Sequence, residues 1–168
     1  MRRSILVAIP VLGLAIILQT SVIERINLLN GAADLMMLIV AAWCLQERAR
    51  GAWLWGMLGG LLVGFVSGIP LFVYLAGYLI IVAVARLLAH RVWQAPLLAM
   101  FTVTFLGTLL MHLLSFTYLR LFGSLLSLSD TMGLVTLPSV LLNLLVAIPL
   151  FGMMRDLARW VFPSAEPA

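Results

Sequence analysis

The chain has 168 residues and a net charge of +4, with 64% hydrophobic against 10% charged residues and a mean hydropathy of +1.20. A soluble domain is about half apolar and about a quarter charged, so ten arginines and six acidic residues cannot keep such a surface in water. The basic balance does not point to nucleic acid either, because the arginines punctuate apolar runs instead of gathering on one polar face. Lipid is the expected solvent.

A helix needs about 20 mostly apolar residues to cross about 30 Å of hydrocarbon, and its backbone must satisfy its own hydrogen bonds there. The first predicted span covers residues 4–23 and stops at Glu24 and Arg25. Its basic start and apolar run resemble a signal peptide, but no small-residue cleavage site comes after it, so a retained span is expected. The second, residues 31–46, is short: the residues after Asp34 give only about 18 Å at about 1.5 Å per residue. Either the helix begins earlier, near Leu28, or Asp34 caps its first turn inside a protein-lined dip and accepts free amide protons. The third span, residues 51–67, ends at the breaker formed by Gly68 and Pro70. The fourth covers residues 71–89, the fifth 95–119 and the sixth 135–158, the last interrupted by Pro138 and Pro149. Residues 120–136 read as a short amphipathic turn along the membrane surface, and the final SAEPA as a frayed tail. The expected fold is an all-α integral membrane protein, one six-helix transmembrane domain over residues 1–168.

Positively charged loops stay in the cytoplasm. With the N-terminus inside, Arg2, Arg3, Arg48, Arg50, Arg86, Arg91, Arg155 and Arg159 fall inside, and only Arg25 and Arg120 outside. Both termini are therefore expected to be cytoplasmic. Trp43, Trp53, Trp55, Trp93 and Trp160 all fall at predicted cytoplasmic span ends, where an amphipathic ring suits the interface.

Gly56, Gly60, Gly64 and Gly68 recur every four residues, with Ala52 one step before. Such a stripe lets helix backbones approach closely, and it admits two readings: contact within the chain, or docking of a partner's span or a second copy. Thr104, Thr108 and His112 share one face of the fifth span, and Asn143 lies well inside the sixth. Polar groups at that depth must be hydrogen-bonded, so they face the interior, either as interhelical ties or as a substrate or proton site. Arg86, one turn from the end of its span, can snorkel to the interface. Cys44 is the only cysteine, which excludes an internal disulfide or thiolate cluster, and no catalytic constellation or cofactor motif appears. An enzyme is not expected.

The order of these features resembles a family, the rod-shape-determining membrane protein MreD. The likeness begins with LQTSVIERI at positions 18–26, similar to that family's ending of the first helix. It continues through Asp34 opening the second helix, the charged hinge, the glycine-rich third helix with Gly60, the tyrosine-bearing fourth and the closing helix with Asn143 and a mid-span proline. Two positions depart: Ala33 stands where family members often carry proline, and Gly64 or a neighbour replaces an acidic residue late in the third helix. The resemblance implies a non-enzymatic scaffold of the bacterial inner membrane that binds MreC. Through MreC it would join the cell-wall elongation machinery, with RodA, a penicillin-binding protein and, indirectly, the MreB filament, and so support peptidoglycan synthesis and rod shape. A similar length, helix number and fold also occur in the substrate-binding subunits of energy-coupling-factor vitamin transporters. That alternative requires polar groups converging on an outward-open pocket, for which the sequence offers few candidates, and its small-residue stripe would sit on the first helix instead of the third. A proton-coupled carrier lacks the expected intramembrane acidic pair.

Overall fold

The computed structural model describes residues 2–21, 28–47, 51–91, 95–122 and 127–163. They form α1 (Arg2–Ser21), α2 (Leu35–Cys44), α3 (Ala52–Val66), α4 (Leu71–Arg91), α5 (Pro96–Leu121), a single turn α6 (Leu128–Asp130), a π-helical segment (Thr131–Thr136) and α7 (Leu137–Val161). Four stretches are long and apolar enough to cross a membrane unaided: Ser4–Ser21, Leu71–His90, Pro96–Leu121 and the continuous run Leu128–Val161. The chain is an all-helical, multi-pass membrane protein. α2 and α3 have only 10 and 15 residues, roughly 15 and 22 Å of helix, so each needs flanking backbone to complete a crossing.

Burial runs opposite to the soluble pattern. On α1 the buried positions are Ser4, Ala8, Leu12 and Ala15, whereas Leu6 is 70% exposed and Ile9, Leu14 and Ile17 also point outward. Lipid solvates the bulky faces, and the smaller residues turn inward where backbones must come close. α2 is different, since all ten of its residues are buried. It packs against α1, α3, α4, α5 and α7 and forms the axis of the bundle.

α3 and α4 make a tight antiparallel hairpin through the Ser67–Tyr74 hydrogen bond at its turn (3.0 Å) and the glycines of α3 along its length. A Cβ on Gly60 would lie 3.0 Å from the Cα of Leu75, and one on Gly64 3.0 Å from the Cα of Leu71. Gly56 closes against Val82 in the same way, and Gly59, outside the four-residue repeat, lies against Val40 of α2 and Tyr78. The stripe therefore serves contact within the chain. Gly68 does not belong to it: α3 ends at Val66, Gly68 is exposed in the turn, and a Cβ there would meet nothing.

Two further expectations are corrected. Trp43 and Trp55 are fully buried and stacked at 4.3 Å with 16° between planes, so they are core groups. Only Trp53 and Trp160 are exposed as interface rings would be; Trp93 lies outside the described residues, as do Glu24, Arg25, Arg48 and Arg50. Residues 128–136 are helical and run into α7 without a break, where a surface turn was expected.

The same aromatic stack locates the helix ends. Trp55 Nε1 donates to Ser4 Oγ at the start of α1 (3.1 Å), and the Trp43 ring meets Phe162 just past α7 (6.4 Å). α1 therefore begins, and α7 ends, at the same end of the bundle.

Gly60→Val is expected to destabilise the bundle by roughly 1–3 kcal/mol, as overpacking does, while Gly68→Ala leaves it unchanged. Thermal melting of the two variants in detergent distinguishes them; equal melting would remove the close approach of α3 and α4 as a determinant of the fold.

Candidate functional site

A buried ten-residue helix leaves N–H groups at its start and carbonyls at its end, and neither lipid nor bulk water is there to receive them. The chain answers with side chains from distant segments. At the start of α2, Asp34 is the N-cap, and its Oδ1 accepts the Met37 N–H at 2.9 Å. The Asp34 N–H donates to Asn143 Oδ1 at 2.7 Å, and the Leu35 N–H to Gln19 Oε1 at 2.7 Å. Of the two readings open from sequence, the capping carboxylate is the one realised; α2 does not extend back to Leu28.

Each partner is held in turn. Asn143 Nδ2 donates to Thr108 Oγ1 at 2.9 Å, and Thr108 Oγ1 donates to the Thr104 carbonyl at 2.8 Å. Gln19 Nε2 donates to the Ala33 carbonyl at 3.0 Å, so one amide bonds the chain on both sides of the cap. Tyr78 OH donates to Asp34 Oδ1 at 3.4 Å. Asp34 and Asn143 thus meet in one network. His112 lies beside it on a separate tie, its Nδ1 3.0 Å from Thr136 Oγ1.

The non-helical approach to α2 is fixed by α7 and the π segment. An α-helical partner for the Leu134 carbonyl would be the N–H of residue 138, but Pro138 has none. That carbonyl instead accepts the Asn30 N–H at 3.1 Å. The Ala32 N–H donates to Ser139 Oγ at 3.2 Å. Gly31 passes so close that a Cβ would lie 2.7 Å from both the Ser139 nitrogen and the Val135 carbonyl oxygen. At the other end of α2, the last four carbonyls are all taken: Ala41 by the Leu45 N–H, Ala42 by Gln46 Nε2, Trp43 by the Gln46 N–H and Cys44 by Arg86 Nη1. Arg86 is therefore a helix cap and does not simply snorkel.

Sequence reasoning missed Gln19, Ser139, Gln46 and Arg86 as structural ligands of α2. The available signal was positional, an amide or guanidinium at or just inside the end of an apolar run, where a helix terminus on a neighbour needs a partner.

Beside Asp34 the same segments line a half-open cavity of about 330 Å³, ringed by α1, α3, α4, α5, the π segment and α7. Gln19, Asn30, Asp34, Tyr74, His112 and Ser139 contribute polar groups, and Val63 and Val135 apolar ones. A second cavity of about 260 Å³ sits at the opposite end, with charges of both signs from Glu47, Arg155 and Arg159. No protein-family model, curated protein or solved structure matches this chain.

Thr104 and Thr108 give a matched test. Thr104 Oγ1 is buried without a partner, so Thr104→Val should be neutral or stabilising, whereas Thr108→Val leaves the Asn143 amide unpaired and should cost about 1–3 kcal/mol. Comparable melting temperatures for the two variants would show that the network does not hold α2.

Proposed function

We propose that the chain is a non-enzymatic scaffold of the MreD type in the bacterial inner membrane, crossing six times with both termini cytoplasmic. It binds MreC through its lateral faces, and through MreC the cell-wall elongation machinery of RodA, a penicillin-binding protein and, indirectly, MreB. One observation carries this reading. Gln19 in α1 and Asn143 in α7, each in a segment that bears the resemblance, accept the N–H groups of the consecutive residues Leu35 and Asp34 at the start of α2, and the Asp34 side chain in turn caps Met37. Shared positions that build one structural device support common descent better than a shared order of apolar runs.

Gly56, Gly59, Gly60 and Gly64 of α3 face the chain's own α4 and α2, so this stripe is not open to a partner's span. Phe101, Phe105, Leu106, Leu141, Leu145 and Ile148 line a lateral groove between α5 and α7, wide enough for side chains of an added helix. A second copy of the chain is the competing occupant.

A second reading, the substrate-binding subunit of an energy-coupling-factor transporter, is favoured by the polar cavity, whose convergence was not legible in the sequence. A saturable rise in melting temperature with one vitamin, together with failure to retain MreC, would make it the better one.

Co-expression with MreC should give a complex that survives detergent, with photo-crosslinks from Leu145 and Phe105 but not from Ile9. Free MreC in the flow-through would count against the scaffold. For topology, Cys44 is buried and gives little background, so a membrane-impermeant maleimide should label Ser127→Cys in intact cells. Trp160→Cys should react only after permeabilisation. The reverse pattern would invert the orientation.

A further inference from the structure

We propose that the cavity beside Asp34 is a binding site for a small organic cation, a protonated amine or quaternary ammonium group, with the Asp34 carboxylate as its counter-charge. The size fits: about 330 Å³ is at the lower end of small-molecule pockets. Charge selects the ligand. Among the described residues lining the cavity, Asp34 is the one carboxylate, no arginine is present, and His112 is the one imidazole. A carboxylate at membrane depth favours a cationic partner over a neutral one, and an anion would face repulsion.

The start of a helix ordinarily attracts anions through its free N–H groups. Here the Asp34, Leu35 and Met37 N–H groups are already bonded to Asn143, Gln19 and Asp34. These three donors are not free for an anion. The carboxylate, by contrast, is in place before any ligand arrives, because Met37 and Tyr78 both donate to its Oδ1. Asp34 also remains partly exposed while Ala33 and Leu35 on either side are buried, so the side chain opens onto the cavity. Tyr74 supplies an aromatic wall, its hydroxyl fixed by Ser67 at 3.0 Å, and an aromatic ring is a favourable neighbour for an ammonium group.

The ammonium can come from a soluble amine or from the headgroup of an aminophospholipid. The inference stands on the cavity and does not depend on MreC. The test uses the full-length protein in phosphatidylglycerol nanodiscs, with choline and putrescine as probes and their uncharged counterparts 3,3-dimethylbutanol and 1,4-butanediol as controls. Saturable binding of at least one cation, about tenfold or more tighter than its counterpart, is expected. Asp34→Asn should abolish that preference while keeping the fold, since asparagine caps a helix start about as well as aspartate. Repeating the titration with phosphatidylethanolamine in the disc separates the sources: lost choline binding assigns the site to the lipid amine, and retained binding to a soluble one. Equal binding of cation and counterpart, or no saturable binding of either, overturns the proposal on the wild-type protein alone. So does a folded Asp34→Asn variant that keeps the preference.

Discussion

The structure depends on satisfying the two ends of α2. This helix is buried along its whole length, so its terminal N–H and carbonyl groups must be bonded by protein. The energetics are asymmetric. A hydrogen bond formed inside a membrane protein contributes only about 0.6 kcal/mol on average, but a buried group left without its partner costs about 1–3 kcal/mol. Gln19, Asn143 and Asp34 at one end, and Gln46 and Arg86 at the other, therefore matter less for what they add than for what their removal would expose. Because they come from α1, α4, α7 and α2's own flanks, meeting the demand also fixes where those elements stand.

The rest of the packing serves that enclosure. α3 and α4 can pack close enough to wall off α2 because glycines at Gly56, Gly60 and Gly64 remove the side chains between them. Gly59 does the same toward Val40 of α2 itself. The stacked pair Trp43 and Trp55 closes the end where α1 begins and α7 finishes. Pro138 works at the opposite end. By lacking an N–H it leaves the Leu134 carbonyl for Asn30, and the π-helical segment just before it is where the helix changes its bonding register.

Much of this architecture was legible because apolar runs and breakers are written locally. Six runs became helices at nearly the expected positions, Asp34 became a cap as one of two readings held, and Asn143 turned inward. What was not legible depends on partners far along the chain. Whether Trp43 is an interface ring or a core ring is decided by Trp55 and Phe162, and no local pattern encodes that. Arg86 reads as a snorkelling end residue until the Cys44 carbonyl is seen beside it. The four-residue glycine repeat suggested a stripe through Gly68, but the helix stops two residues earlier. Amphipathic periodicity could not help, since in lipid both the buried and the exposed faces are apolar.

Asp34 joins the two halves of the functional picture. Its carboxylate holds the first turn of α2 and also forms part of the wall of the cavity, so the groups that position the axis of the bundle are those a ligand would touch. A molecule that engages this side chain acts on Met37 and Tyr78 through it, and therefore on the seat of α2 against α4. Binding to the folded state alone would then stabilise the contacts that hold α2 against α4. A bundle built this way need not change shape to register an occupant. Occupancy would alter how firmly its axis is held, and so how rigid a surface it presents within the membrane.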